Sequence, residues 1–242
     1  MSLSKKVFLI TGAGGGLGRI AAVTLAQQGA EVILLDKSIP QLEKTYDAII
    51  AAHGATPNMY PFDLAGANEQ DYYELAERIE THYGALHGLL HSATDIKAFT
   101  PLSCLSTRDW GNSLNVNLNA PFLLCQVLCP LLEQSEHASI VFTLDSAVLA
   151  APAYASAYGV AKAGLQALAH ILAAEHEGAG KIRVNCLIPG PVDSPLRKRT
   201  FPGEDKSKLP DPASLAPIYL YLFSAASLGI TGQTIDARTF HL

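Results

Sequence analysis

The sequence predicts a doubly wound α/β fold, in which a mostly parallel sheet carries helices on both faces. Short apolar runs alternate with amphipathic segments, as parallel strands alternate with crossover helices. Hydrophobic residues make up 49% of the chain and charged residues 16%, enough apolar material for a sheet buried on both faces. A glycine-rich turn at 12–18 separates the first apolar run from the first helical segment. The length of 242 residues and the lack of a linker-like stretch predict a single domain over residues 1–242.

The predicted elements alternate between strand and helix along the whole chain. Strands are expected at residues 6–10, 31–35, 58–62, 87–91, 139–143 and 181–188. Helices are expected at residues 17–28, 40–52, 68–83, 106–133, 156–176 and 212–224. Right-handed crossovers would then wind helices onto both faces of the sheet. Residues 189–212, rich in Pro, Lys and Arg, are predicted to form a mobile loop over a ligand crevice.

Composition and charge argue against several classes of function. The net charge of −5 and the absence of a clustered basic surface speak against a nucleic-acid partner, and we interpret 197–199 as a solvated loop. No signal-peptide pattern and no run of about 20 apolar residues are found, so we expect a cytoplasmic protein without a membrane partner. The cysteines show no CxxC spacing and are interpreted as packing residues rather than metal ligands. They are Cys104, Cys125, Cys129 and Cys186.

The turn after the first strand is typical of dinucleotide binding. Glycines permit positive φ and let the backbone approach a pyrophosphate, which free N–H groups and the helix N-terminus stabilise. The order of strand, glycine turn and helix therefore predicts a Rossmann-type fold; a purely structural glycine turn is the alternative. The cofactor-binding residues expected here are Gly12, Gly14, Gly16, Leu17 and Gly18.

Two acidic residues extend this prediction toward the adenosine half of the cofactor. Asp36 ends the second strand, where its carboxylate can accept hydrogen bonds from the ribose hydroxyls. That carboxylate would repel a 2′-phosphate, so NAD is predicted and NADP is the less favoured cofactor. Lys37 is the opposing observation, since it could pair with that phosphate. Asp63, after the third strand, could accept from the adenine amino group or act as an ordinary turn residue.

Tyr158 and Lys162 form a candidate acid/base pair. Their i, i+4 spacing places both side chains on one face of a helix. A neighbouring ammonium stabilises a phenolate and lowers the tyrosine pKa from its free value of about 10. The pair could thus exchange a proton with an alcohol or a carbonyl, although the same pattern occurs by chance in many helices.

In combination these motifs resemble those of the short-chain dehydrogenase/reductase family, over nearly the whole chain from Lys5 to about Asp236. The matching motifs are the glycine turn at 11–18, Asn115-Val116-Asn117, the Tyr158 to Lys162 segment, and Pro189-Gly190 with Ser194 downstream. The resemblance implies that Tyr158 transfers the proton, Lys162 binds the nicotinamide ribose and tunes the tyrosine, and Asn117 holds a water in a proton relay. It also implies cofactor contacts at Ala93, Pro189, Gly190, Val192 and Ser194.

The sequence departs from the family pattern at three places. Ser92-Ala93-Thr94 replaces the usual Asn-Ala-Gly, so a β-branched residue replaces a glycine close to the cofactor. Asp236-Ala237-Arg238 replaces the usual Asp-Gly-Gly and is expected to alter the final turn without touching the chemistry. The usual catalytic serine, 13 residues before the tyrosine, is Asp145.

The substitution at Asp145 leaves two candidates for the group that polarises the substrate carbonyl. An ionised carboxylate cannot donate a hydrogen bond to a developing oxyanion. Either Asp145 is held protonated, or Ser146 moves into the serine position through a one-residue shift in the following loop. We favour Ser146, because a loop shift costs less than keeping a carboxylate neutral.

The function predicted from these residues is an oxidoreductase that transfers a hydride between NAD(H) and a carbonyl or secondary alcohol. A fold of the same kind that binds the dinucleotide without catalysis is the alternative, motivated by Thr94 and Asp145. The partners expected are a small carbonyl or alcohol substrate and further copies of the chain. The long helices near 112–133 and 156–176 are predicted to form the interface of a homodimer or homotetramer.

Overall fold

A computed structural model describes residues 2–241, and the described part of the chain forms a seven-stranded sheet in the order β3-β2-β1-β4-β5-β6-β7. All its neighbouring strands pair in parallel. The strands are β1 Val7–Thr11, β2 Glu31–Asp36, β3 Asn58–Pro61, β4 Gly88–His91, β5 Ala138–Thr143, β6 Ile182–Ile188 and β7 Thr234–Asp236. The chain winds outward from β1 to β3 and returns to β4 on the other side of β1. This reversal opens a crevice at the carboxyl ends of β1 and β4.

Helices cover both faces of the sheet, which confirms the predicted doubly wound fold. They are α1 Gly16–Gln27, α2 Ile39–Ala51, α3 Glu69–Tyr83, α4 Thr107–Leu114, α5 Ala120–Leu132, α6 Ser146–Leu149, α7 Ser156–Glu177, α8 Pro195–Thr200 and α9 Ala216–Phe223. Successive side chains of β1 point to opposite faces. Leu9 belongs to the core beneath α3, α5 and α7, whereas Ile10 belongs to the core beneath α1, α2 and α9.

The structure differs from the sequence prediction in three elements. The single helix expected at 106–133 is divided into α4 and α5 by a π-helical turn, Asn115–Asn119. The expected loop at 189–212 contains α8, because Pro195 at its first position is compatible with helical φ and Ser194 Oγ accepts from the Arg197 N–H at 3.2 Å. β7 was not predicted, because three residues are too few to show a period.

One helical stretch, Thr107–Leu132 taken across the π turn, is long and apolar enough by composition to cross a membrane, although the sequence was expected to hold no such run. Half of its most apolar window is buried inside the fold. Leu124, Leu128 and Leu131 lie in the core on one face of the sheet. Packing against the sheet therefore accounts for the apolar composition.

Candidate active site

A cavity of about 240 Å³ lies at the carboxyl ends of the strands and collects most of the predicted site residues. Those that line it are Gly12, Gly16, Leu17, Gly18, Asp36, Asp63, Ala93, Asp145, Tyr158, Lys162, Pro189, Gly190, Val192 and Ser194. The remaining candidates, Gly14, Asn117 and Ser146, are not among the lining residues. Residues separated by most of the chain thus meet in one crevice.

The glycine turn leaves no space for side chains at its two ends. Gly12 has φ +66°, and a Cβ there would lie 2.7 Å from the Ala93 Cα. A Cβ on Gly18 would overlap the Gly12 carbonyl oxygen. Thr11 completes the junction, since its Oγ1 accepts from the N–H groups of Ser92 and Ala93, both at 3.1 Å. The carboxyl ends of β1 and β4 are therefore held against each other beneath the turn.

The start of α1 suits a phosphate-bearing ligand. Gly15 at the N-cap position supplies no side-chain hydrogen bond to the first turn of the helix. Uncapped N–H groups at a helix N-terminus stabilise negative charge. Because Gly16, Leu17 and Gly18 also line the cavity, the residues present fit the pyrophosphate of a dinucleotide.

Asp36 is held in place by two backbone donors. Its Oδ2 accepts from the Gly14 N–H at 3.1 Å and its Oδ1 from the Ser38 N–H at 3.0 Å. Gly14 thus contributes to the site by orienting Asp36 rather than by lining the cavity. On the other side of Gly14, Arg19 donates to the Gly14 carbonyl oxygen at 3.0 Å.

Asp63 acts as a turn residue and also lines the cavity. Its Oδ1 accepts from the Ala65 N–H at 3.1 Å, which is the pattern of a turn residue. It also lines the cavity beside Phe62 and Leu64. The turn therefore fixes the carboxylate at the end of the cavity near β3.

Tyr158 and Lys162 are both buried on α7, where the cavity reaches the end of β5. Lys162 is 2% exposed, and its Nζ lies 5.6 Å from the centroid of the Tyr158 ring. The ammonium donates to the Thr143 carbonyl oxygen at 2.8 Å. Burial lowers the pKa of Lys162 to about 8, and the nearby Asp145 acts in the opposite direction.

Asp145 stands at the Tyr158 hydroxyl, which donates to Asp145 Oδ2 at 3.1 Å. Its other oxygen, Oδ1, accepts from the Ala147 N–H at 2.9 Å and caps α6. Burial raises the pKa of Tyr158 well above its ordinary value, and the charge and hydrogen bond of Asp145 raise it further. This arrangement opposes the phenolate that the sequence analysis expected Lys162 to favour.

Ser146 does not take the serine position. It begins α6, and the one-residue shift that would bring its hydroxyl to Tyr158 is absent from this structure. The reason is local, because the Asp145 carboxylate is a good N-cap and holds the register at the start of α6. In this structure Asp145, and not the favoured Ser146, is therefore the residue next to the phenol.

Asn117 lies in the π-helical turn behind the cavity wall. Its Nδ2 donates to the carbonyl oxygens of Asp95 and Ser113, both at 2.8 Å. Its Oδ1 is buried and has no hydrogen-bond partner among the described residues. An unpartnered buried acceptor is compatible with the water that the family resemblance implies for this position.

The segment that leads from α6 to the first residue of α7 holds three residues with left-handed backbone. Ala151, Tyr154 and Ser156 have φ of +49°, +70° and +59°. Side chains with a Cβ adopt this region at a cost of about 1–2 kcal/mol each. The connection that leads into α7 is therefore strained at three positions.

α8 forms a wall of the cavity, in a segment that was expected over the crevice as a loop rather than as a helix. Leu196, Arg197, Thr200 and the following Phe201 all line it. The Arg197 guanidinium, interpreted above as part of a solvated loop, pairs with Glu204 at 2.6 Å and lies 3.6 Å from the centroid of the Phe201 ring. The Ser194-Pro195 pair that starts α8 was the available signal for this helix.

The two remaining departures from the family pattern also reach the site. Thr94 lines the cavity and is not among the positive-φ residues, so its backbone suits a β-branched side chain. Arg238 packs over Gly190, where an added Cβ would lie 2.9 Å from Arg238 Cγ. The Asp236-Ala237-Arg238 turn therefore packs against the Pro189-Gly190 turn, which lines the cavity.

The chain is similar to known proteins over nearly its whole length. A family model described as short chain dehydrogenase matches residues 6–205. The oxidoreductase YciK of Escherichia coli K12 is 36% identical over 236 residues, which cover 98% of this chain and 93% of that protein. A short chain dehydrogenase of Shigella flexneri, solved in complex with NADP, superposes with a TM-score of 0.93 at 36% identity, over 97% of this chain and 98% of that one. One from Escherichia coli CFT073, complexed with NADPH, gives a TM-score of 0.92 at 36% identity, over 97% of each chain.

Proposed function

Because the chain belongs to the short-chain dehydrogenase/reductase family, we propose that this oxidoreductase interconverts a carbonyl compound and a secondary alcohol with NADP(H). One observation carries the proposal: Tyr158 and Lys162 are buried in the wall of the same cavity that the glycine turn opens into. When bound, the nicotinamide dinucleotide supplies or accepts the hydride. The chain's own residues then have to bind, orient and move a proton.

The residues that would hold the dinucleotide follow the length of the cavity. Gly16, Leu17 and Gly18 offer N–H groups to the pyrophosphate, and Asp36 and Asp63 lie toward the adenosine. At the nicotinamide end we propose contacts from Lys162 and from residues after β4 and β6. These are Ala93, Pro189, Gly190, Val192 and Ser194.

The use of NADP(H) replaces the NAD(H) expected from Asp36 alone. Both Asp36 oxygens already accept backbone N–H groups, so the carboxylate serves to lock the turn. Two cations flank it: Arg19, bonded to Gly14, and Lys37, which is exposed and lines the cavity. Neither forms a salt bridge within residues 2–241. Lys37 provides the positive charge that a 2′-phosphate requires, whereas the Arg19 guanidinium is bonded to Gly14, Gln41 and Thr45 and does not line the cavity. Two similar proteins are solved with NADP and NADPH.

The cofactor proposal is tested by comparing the affinities for NADPH and NADH, measured by nicotinamide fluorescence. We expect tighter binding of NADPH, and Lys37→Gln should weaken it by about tenfold, as for the loss of one charge-assisted hydrogen bond of about 1.5 kcal/mol. Lys44→Gln is the matched control, since Lys44 is an exposed lysine of α2 that does not line the cavity. Equal or tighter binding of NADH would restore the original NAD prediction.

The non-catalytic alternative is favoured by one observation, the carboxylate in the serine position. A panel of ketones with NADPH and of secondary alcohols with NADP⁺ separates the two functions. Turnover that Tyr158→Phe abolishes supports the oxidoreductase. Cofactor binding without turnover on any member of the panel would favour the dinucleotide-binding scaffold.

We also propose that residues 1–242 form a single domain and that the protein is cytoplasmic. We further propose that the chain assembles into a homodimer or a homotetramer. Ala161 and Ala169 of α7, within the helix expected at the interface, are buried within the fold. The exposed apolar side chains on the outer faces of α5 and α7 are Phe122, Val160 and Ile171. They support an interface through these helices, and light scattering that gives the monomer mass at micromolar concentration would contradict it.

A further inference from the structure

We propose that Tyr158 and Asp145 work as one proton relay, in which Tyr158 exchanges a proton with the substrate oxygen while Asp145 Oδ2 exchanges one with Tyr158. The phenol is then neutral before and after each turnover. Asp145 is the group whose charge state changes. The inference deepens the proposed function and rests on it for the identity of the substrate.

The carboxylate is oriented for this role by the start of α6. Asp145 Oδ1 is occupied by the Ala147 N–H at 2.9 Å, which leaves Oδ2 directed at the Tyr158 hydroxyl at 3.1 Å. Asp145 is partly exposed and lines the cavity, whereas Tyr158 is buried. The carboxyl group can therefore exchange its proton with solvent, as the end of a relay must.

The charges around the pair do not favour a free phenolate. Lys162, on α7, is turned to the Thr143 carbonyl oxygen and lies 5.6 Å from the Tyr158 ring centroid. Arg197, on α8, is paired with Glu204, and Asp95, after β4, adds another carboxylate to the cavity wall. Two further titratable groups, His91 on β4 and Cys186 on β6, are buried behind Lys162.

A phenolate beside an ionised Asp145 would place two negative charges within hydrogen-bond distance. Like charges this close raise the pKa of the second group to ionise, here Tyr158. A relay avoids that state, because Tyr158 gives up one proton as it receives another. The substitution of serine by aspartate then changes the route of the proton rather than removing the acid/base.

The protons balance in both directions. In reduction the carbonyl carbon receives a hydride from the bound reduced nicotinamide, its oxygen takes the proton of Tyr158, and protonated Asp145 returns a proton to Tyr158. Asp145 is left as a carboxylate and is reprotonated by solvent. In oxidation the alcohol proton passes to Tyr158, the Tyr158 proton passes to the Asp145 carboxylate, and the hydride passes to the oxidised nicotinamide.

The first test needs no substrate. Ultraviolet difference titration of each protein against its Tyr158→Phe counterpart isolates the ionisation of Tyr158 from that of the other tyrosines. We expect this ionisation at a pH lower by at least about one unit in Asp145→Asn and Asp145→Ser than in the wild type. Asp95→Asn is the control, because it removes a carboxylate of the same wall that does not bond to Tyr158, and its titration should follow the wild type. An unshifted titration in both Asp145 variants overturns the relay.

The second test is the pH profile of kcat for the reduction of cyclohexanone, or of any ketone the wild type turns over, with NADPH. Reduction through the relay consumes a proton held by Asp145, so the wild-type kcat should fall as the pH rises. The kcat of Asp145→Ser should not change over the pH range in which the wild-type kcat falls. If the pH profiles of the wild type and of Asp145→Ser coincide, the relay is overturned. If the wild type turns over no substrate but its Tyr158 titration is shifted in the Asp145 variants, the proposed function is contradicted, while the coupling of Tyr158 to Asp145 is supported.

Discussion

Lys162 Nζ donates a 2.8 Å hydrogen bond to the carbonyl oxygen of Thr143 at the carboxyl end of β5. The bond satisfies a cation that is almost fully buried, and it positions the ammonium between the last residue of β5 and the Tyr158 ring. Lys162 therefore has a structural partner in addition to the contacts proposed with the cofactor.

We expect substitutions of Tyr158 and of Lys162 to have different kinetic effects. Tyr158→Phe removes only the hydroxyl, so kcat should fall by at least about 10²-fold while the dissociation constant for NADPH stays nearly unchanged. Lys162→Ala should lower kcat and weaken NADPH binding together. Steady-state kinetics and nicotinamide fluorescence measure the two quantities. Wild-type kcat in Tyr158→Phe on a confirmed substrate would refute the proposed acid/base.

The glycine turn should tolerate no side chain at Gly18. Gly18→Ala places a Cβ against the Gly12 carbonyl oxygen, so the turn must move, and we expect a lower melting temperature and at least tenfold weaker NADPH binding, about 1.4 kcal/mol. Gly111→Ala is the control, since Gly111 lies inside α4 with no atom within 4 Å of an added Cβ. That variant should gain up to about 1 kcal/mol from helix propensity. Equal effects of the two substitutions would contradict the close approach at Gly18.

The strained connection before α7 offers a matched pair of neighbouring alanines. Ala151 has φ +49°, so Ala151→Gly should relieve backbone strain and raise the free energy of unfolding by up to about 1 kcal/mol. Ala150 has φ −79°, so Ala150→Gly should lower it by about 0.5–1 kcal/mol through the added freedom of the unfolded chain. Urea denaturation of both variants measures the difference. A loss of stability in Ala151→Gly as large as that in Ala150→Gly would contradict the positive φ.

Buried His91 should make the fold sensitive to acid. Its ring stacks on Phe142 with centroids 4.6 Å apart, and burial, with the charge of Lys162, lowers its pKa to about 3. The unfolded chain binds the His91 proton below its ordinary pKa of about 6.5, whereas the folded chain does not until about pH 3. Above pH 6.5 the free energy of unfolding keeps its full value with respect to His91. As the pH falls below 6.5, it decreases by roughly 1.4 kcal/mol per pH unit.

His91→Leu removes this contribution while leaving the acidic residues in place. The free energy of unfolding, measured by urea denaturation at pH 6 and at pH 5, should decrease less between the two values in the variant than in the wild type. The difference between the pH dependences of the two proteins corresponds to one bound proton. Identical slopes in the two proteins would show that His91 is protonated in the folded state.

Structural features that depend only on a short segment of the chain could be predicted from the sequence. The strands that line the crevice show apolar runs, and the glycine turn is defined by residue type between a strand and a helix. Tyr158 and Lys162 share a face of α7 because the helical repeat brings i and i+4 together. These properties depend on the spacing of residues along the chain and on regular backbone geometry, and both can be read from the sequence.

By itself the sequence thus determined the doubly wound fold, the glycine turn after β1 and the placement of Tyr158 and Lys162 on one helix face. Only the tertiary structure decided that Asp145 rather than Ser146 meets the Tyr158 hydroxyl, that Asp36 is held by the Gly14 and Ser38 N–H groups, and that α8 closes the cavity. Each of these depends on which atoms from distant segments approach within about 3 Å, a distance at which hydrogen bonds form or fail. A shift of one residue in a loop changes such a contact and leaves every local pattern in the sequence as it was.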